Sequence, residues 1–217
     1  VEMKKLLLLG AAVAGLATAQ AQITVHPRAE VGVNVANLSM HINEVSIKTS
    51  ATTGLRIGGA AEIALPANIG SMTTLYVAPG LLYRRLGASK NDQQTRIQAL
   101  TVPVNLGLRV GLDNHLALSL EAGPNFSYLL SAKEPMPNST SIELNLLEKN
   151  EDGDALLKRF EAGFGVSAAL EYNKFFVRVG GDFGLSNLIN KSQLKDSSIK
   201  NSSAKTSDFH IGVGYRF

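Results

Sequence analysis

Along most of the chain, apolar residues take every second place. The last such segment runs Phe209-His210-Ile211-Gly212-Val213-Gly214-Tyr215-Arg216-Phe217. Phe209, Ile211, Val213, Tyr215 and Phe217 share one face, and His210, Gly212, Gly214 and Arg216 share the other. That is the period of a strand with one apolar face and one polar or small face. Eight segments of this kind are predicted, near 28–37, 54–65, 72–85, 97–110, 116–130, 160–172, 175–186 and 207–217. Their connections alternate in length. Pro66-Ala67-Asn68, residues 111–115 and Asn173-Lys174 read as tight turns, while 38–53, 86–96, 131–159 and 187–206 are long and polar.

The two faces show where the solvent lies. One phase holds Val31, Val33 and Val35, then Leu55 and Ile57, then Leu100, Val102, Val104, Leu106 and Leu108, and so on through the later strands. The opposite phase holds Gly32, Asn34, Gly58, Asn105, Gly107, Ser119, Gly123, Asn125, Gly163, Gly165, Ser167 and Gly180, with nearly all the strand charges. Turned inward, the apolar phase would overfill an eight-stranded barrel, whose interior is just wide enough for side chains to fill it. The outside would then be glycine, alanine and asparagine, a poor surface for water. Turned outward, the same phase faces lipid, and the small and charged residues fill the lumen. Each segment reaches the roughly 9–11 residues that cross a bilayer at a tilt. The predicted fold is therefore all-β, a transmembrane antiparallel up-and-down barrel of eight strands. Short turns on one side and long loops on the other fit a barrel with both termini in the periplasm.

The start of the chain has a different pattern. Lys4-Lys5 precedes an apolar run from Leu6 to Ala17, and Ala17-Thr18-Ala19 or Ala19-Gln20-Ala21 offers small residues for cleavage. Residues 1–21 are expected to be a removed signal peptide, too short and wrongly flanked for a spanning helix, and 22–217 the barrel. The chain has no cysteine, which excludes disulfides and thiolate metal sites. The formal charge of +3 is too small for a nucleic-acid footprint, so no nucleic-acid partner is expected.

In the lumen phase, Glu30, Glu62, Glu121, Glu161, Glu171 and Asp182 face Arg28, Arg56, Arg84, Arg109, Arg178 and Arg216. Charges in so narrow a space must be paired, and arginine's fork binds carboxylates through two hydrogen bonds. The expected result is a salt-bridged plug. Aromatic residues gather at strand ends, with Tyr172, Phe175, Tyr215 and Phe217 toward the turns and Tyr83, Phe126, Tyr128, Phe160 and Phe209 toward the loops, as interfacial girdles do. Pro79 and Pro103 cannot donate to a ladder, so a bulge is expected at each.

From Leu75 onward the chain resembles the outer-membrane protein β-barrel domain family, often labelled porin-family proteins. The resemblance rests on Leu75-Tyr76-Val77-Ala78-Pro79-Gly80-Leu81-Leu82-Tyr83, Leu100-Thr101-Val102-Pro103-Val104-Asn105-Leu106 and Glu121-Ala122-Gly123-Pro124. Gly184-Leu185-Ser186-Asn187-Leu188 and Gly212-Val213-Gly214-Tyr215-Arg216-Phe217 complete it. It implies an eight-stranded barrel of the Gram-negative outer membrane and no defined activity.

The function expected is a structural or binding role through the external loops, one acidic (Glu143, Glu148, Glu151, Asp152, Asp154) and one basic (Lys191, Lys195, Lys200, Lys205). A narrow passive channel is the alternative, and a lipid-modifying enzyme is a third. Expected partners are outer-membrane lipid and lipopolysaccharide, an extracellular ligand, and the barrel-assembly machinery reading the strand that ends at Phe217. For an enzyme, only His210 lies in a strand on the lumen side, with Ser127 at a similar height. That pair falls short of a catalytic set, and the sequence is read as carrying no catalytic, cofactor-binding or metal site.

Overall fold

The structure is a computed structural model that describes residues 24–42, 45–48, 50–67, 69–90, 93–135, 143–145, 147, 158–189 and 203–217. The expected signal segment and most of both charged loops lie outside these residues. The elements are β1 (Val25–Ile42), β2 (Val45–Lys48), β3 (Ser50–Ala64), β4 (Thr73–Lys90) and β5 (Gln93–Gly111). They continue with β6 (Leu116–Pro135), β7 (Glu143–Asn145), β8 (Phe160–Tyr172), β9 (Phe175–Gly184) and β10 (Ser203–Arg216). Eight of them, all except the short β2 and β7, form one antiparallel sheet in up-and-down order. The sheet closes where β10 pairs with β1, from Arg28 opposite Arg216 to His41 opposite Ser203. Closure leaves the eight-stranded wall without an edge, as a backbone in hydrocarbon requires.

The faces fall as the alternation predicts. Val31, Val33, Leu55, Ile57, Leu106, Leu120, Val166, Val179 and Ile211 are exposed on the outer wall. Asn34, Arg56, Arg84, Glu121, Asn125 and Arg178 are buried inside. Two aromatic groups mark the rims of the outer wall. Phe175 meets Tyr215 edge-on at 5.1 Å, and Tyr215 meets Phe217 at 5.0 Å, at the turn end. Phe126 and Phe160 at 6.2 Å and Phe183 and Phe209 at 6.1 Å gather at the loop end. Along β6 the rims are roughly ten residues apart, about 25 Å of height at the usual strand tilt.

Two expectations are corrected. The segments 38–53 and 86–96 are largely strand rather than loop. β2 folds back on β1 from Ile42 opposite Val45, and β4 and β5 stay in register out to Lys90 opposite Gln93. Polarity there marks where the wall leaves lipid and says nothing about where the ladder stops; Leu86 and Ile97, paired and both buried, hold the extension. β10 likewise begins at Ser203, inside the segment read as the last long loop.

The second correction concerns the prolines. Neither carries a bulge. Register runs unchanged from Val77–Leu106 through Pro79–Val104 to Leu82–Thr101, and from Leu100–Tyr128 through Pro103–Asn125 to Leu106–Ala122. The same register sets Gly80 across from Pro103, and a Cβ on Gly80 would lie 3.2 Å from the Pro103 ring. The missing donors therefore share one stretch of one ladder, and the sheet absorbs them without inserting a residue. The irregularities lie at Ala51/Arg56 and Gln98/Ala99 instead.

At the turn between β5 and β6, Asp113 Oδ1 accepts the backbone N–H of His115 at 2.6 Å and of Leu116 at 2.7 Å. Those two donors hold its carboxyl below the usual range. Asn173, with φ 55, forms the left-handed corner of the tight turn into β9.

Candidate functional site: the charged lumen

Inward-pointing arginines and carboxylates from all eight barrel strands form a continuous alternation of charge along the barrel axis. It starts at the turn-end mouth, where Arg216 Nη1 lies 3.9 Å from Glu62 Oε2. Glu62 accepts from Arg28 Nη1 at 2.8 Å and from Arg109 Nη2 at 2.6 Å, and Arg109 Nε also reaches Glu171 Oε2 at 2.9 Å. Arg28 Nη2 donates to Glu121 Oε2 at 2.8 Å, and Arg178 Nη1 lies 2.9 Å from the same oxygen. Arg178 Nε faces Glu30 at 3.4 Å; Glu30 accepts from Arg56 Nε at 3.2 Å; Arg56 Nη1 donates to Asp182 Oδ2 at 2.7 Å. Finally Arg84 Nη1 joins Asp182 at 3.2 Å to Asp208 at 3.0 Å.

Neutral groups fill the gaps. Tyr76 Oη donates to Glu121 at 2.7 Å, and the Arg109 guanidinium lies 5.0 Å over the Tyr76 ring. Arg84 also donates to Thr101 at 2.9 Å and to Ser127 at 2.8 Å. Asn125 donates to Asp182 Oδ1 at 2.9 Å. Arg178 bonds Ser167 at 2.8 Å and stacks over Phe176 at 5.2 Å. The lumen glycines give these side chains their room. A Cβ on Gly107 would stand 2.2 Å from the Tyr76 ring, and one on Gly214 would stand 2.1 Å from Phe176. Among the described residues, a cavity of about 20 Å³ lies inside the plug, room for one water molecule. A second cavity of about 190 Å³, lined by His26, Glu62, Tyr76, Arg109 and Arg216, forms a vestibule at the turn-end mouth.

Above the plug the interior changes character. Leu86, Ile97, Ala99, Leu129, Leu147 and Leu188 pack into a buried apolar cluster with Ala36, Ala132 and Ala204. The cluster caps the loop end of the lumen. Leu147 and Leu188 come from the connections, the rest from inward positions of the extended strands.

All twelve charges expected to face one another are in the lumen or its mouth, and among the described residues Asp208 joins them as a seventh carboxylate against six guanidiniums. The sequence reading missed Asp208 and Tyr76, although each has lumen parity: Asp208 with His210, Tyr76 with Ala78. Glu161 has Thr206 as its hydrogen-bond donor, at 2.7 Å from Oγ1. The Ser127 hydroxyl is engaged with Arg84 and Thr101. His210 instead faces Asp182 and Asp208, each at 3.7 Å. Both lie below the apolar cap, and both are at least nine-tenths buried.

A family model described as outer membrane protein beta-barrel domain matches residues 19–190. None of the curated proteins matches. Among solved structures, the chain is similar to Neisserial surface protein A at 13% identity, covering 91% of this chain and 100% of that one, with a TM-score of 0.47. It is similar to the attachment invasion locus protein Ail of Yersinia pestis at 14% identity, over 88% and 98% of the two chains, with a TM-score of 0.37. A third, the outer membrane enzyme PagL, shares 10% identity over 84% and 98%, with a TM-score of 0.48. Identities this low leave function to be argued from this chain's own residues.

Proposed function

The chain belongs to the outer membrane protein beta-barrel domain family, and from that premise we propose that it is a closed structural or binding barrel that acts through its loops. Membership makes it a protein of the Gram-negative outer membrane. In this reading the tight turns and both termini face the periplasm, and the long connections face outward. The observation that supports closure is the unbroken acid–base alternation from Arg216 to Asp208, where the cavity at its centre offers about 20 Å³. Every guanidinium in it has a carboxylate partner, so an ion entering the lumen would have to break a buried pair, at a cost of several kcal/mol. With the lumen occupied, the outer connections are the surface left to meet a partner.

The outer wall between the aromatic rims suits lipid, and the connections above it suit lipopolysaccharide or another extracellular ligand. The terminal strand, ending at Phe217, is the segment offered to the barrel-assembly machinery. The chain acts without nucleic acid. It is not an enzyme in this reading, because Ser127 and His210 lie inside the plug and under the cap, away from any substrate.

The test is single-channel conductance of the purified, refolded protein in planar bilayers, with the heat-modifiable gel shift as the folding control. The expected result is a folded barrel with no steady conductance. A steady, sizeable conductance would move the protein to the alternative, a narrow passive channel.

A further inference from the structure

Among the described residues, one cluster in the lumen sets two carboxylates beside an unpartnered imidazole. Near the top of the plug, His210 Nδ1 lies 3.7 Å from Asp182 Oδ2 and 3.7 Å from Asp208 Oδ1, beyond hydrogen-bond range. One ligand atom from each of the three residues falls within 4.8 Å of the others. His210 is 7% exposed and Asp208 2%. Yet neither imidazole nitrogen has a hydrogen-bond partner, and neither does Asp208 Oδ1. Asn34, across from His210 in the β1–β10 register and fully buried, also has both amide atoms unpaired. Buried polar groups are rarely left without partners, and the acceptors among these, Asp208 Oδ1 and the unprotonated imidazole nitrogen, are atoms that a cation would take as ligands.

The carboxylates are already held in place for it. Arg84 binds Oδ2 of both aspartates, Arg56 binds Asp182 Oδ2, and Asn125 binds Asp182 Oδ1. Such outer hydrogen bonds orient ligating carboxylates in metal sites. Asp208 Oδ1 and the imidazole are left free to bind. We propose that Asp182, Asp208 and His210 form a site for one divalent first-row transition-metal cation of the zinc type. His210 Nδ1, Asp208 Oδ1 and Asp182 Oδ2 supply three ligands, Asp182 Oδ2 releasing its longer guanidinium bond, that from Arg84 at 3.2 Å, to do so. A water in the 20 Å³ cavity, which Asp182 and His210 line, supplies the fourth. Ligands at zinc distances in a tetrahedron stand about 3.3 Å apart, so the two His–Asp separations of 3.7 Å need a contraction of a few tenths of an ångström, and the two aspartates, within 4.8 Å of each other, close on the ion as it binds. The imidazole favours Zn²⁺ or its neighbours over Ca²⁺ and Mg²⁺, which prefer oxygen alone.

The test uses the full barrel refolded in detergent, confirmed by gel shift, freed of metal with a chelator and titrated with Zn²⁺ by calorimetry. Metal analysis of the dialysed complex gives the stoichiometry. One Zn²⁺ per barrel is expected, with affinity lower by at least about tenfold in His210→Gln and in Asp208→Asn. His115→Ala, on the exposed turn, is expected to bind as the parent does. Co²⁺ in the unaltered protein is expected to show the visible absorption of a four-coordinate nitrogen–oxygen site, a readout that needs no variant to fold. The proposal is overturned by a folded barrel that binds no Zn²⁺, by binding undiminished in folded His210→Gln, or by Co²⁺ spectra of an all-oxygen octahedral site.

Discussion

Removing the Glu121 carboxylate leaves Arg28, Arg178 and Tyr76 without a shared acceptor in the middle of the lumen. Breaking a buried pair from one side costs about 3–5 kcal/mol, because the remaining charge stays buried. Glu121→Ala is therefore expected to lower the unfolding free energy in lipid vesicles by that amount, measured by denaturant titration. Glu161→Gln is the contrast: it keeps an acceptor for Thr206 and is expected to cost about 1 kcal/mol. Equal losses in the two variants would show that the alternation of charge does not hold the barrel. At this scale the sequence was largely legible. Parity alone put twelve charges inside, because a strand in lipid leaves a charge no other side to occupy. The same parity puts Asp208 and Tyr76 there, and the tyrosine is hard to recognise as a lumen residue because its glycine partner across the ladder, Gly107, gives no sign of the space it leaves.

A strand in this wall is defined by what lies on each side of it. Leu120 on β6 is half exposed on the outer face, with Leu108 on one neighbouring strand and Ala168 on the other. Leu120→Arg is expected to destabilise the membrane-inserted barrel by about 2–4 kcal/mol, the depth-dependent cost of a cation near the midplane, measured by unfolding from vesicles. A cost near zero would place this residue outside the hydrocarbon. Strand existence and facing were readable, because period two and tight turns are local signals. Strand ends were not. Lys90 and Gln93 look like loop residues, yet they pair, because an antiparallel hairpin held by Leu86 and Ile97 continues into water without needing an apolar face. The prolines mislead for a related reason: each alone suggests a bulge, and only the register shows that Gly80 and Pro103 share one gap.

The whole molecule stacks two interiors in one tube, an ionic one below and an apolar one above. The apolar cap could not be read from the sequence, since it needs strands longer than a membrane requires and two leucines, Leu147 and Leu188, supplied by the connections. Its position predicts how the ends behave. Leu86→Ser with Leu129→Ser is expected to loosen the cap, seen as faster proteolysis of the outer connections, while planar-bilayer conductance stays at the level of the parent. The plug beneath, from Asp208 down to Arg216, is untouched by those changes. Conductance appearing in that variant would make the cap, and not the ion pairs, the barrier.

The two aromatic rims also lie level with the two ends of the ionic interior. Tyr83 adjoins Arg84, Phe160 adjoins Glu161 and Phe209 adjoins His210 at one rim; Tyr172 adjoins Glu171 and Tyr215 adjoins Arg216 at the other. The protein thus carries its own waterline, fixed from within by interlocked charges as well as from without by rings. A barrel so marked cannot trade height for tilt easily. In a bilayer thinner or thicker than its apolar band, the lipid around it must stretch or thin to meet the rims, and the depth of immersion stays with the chain.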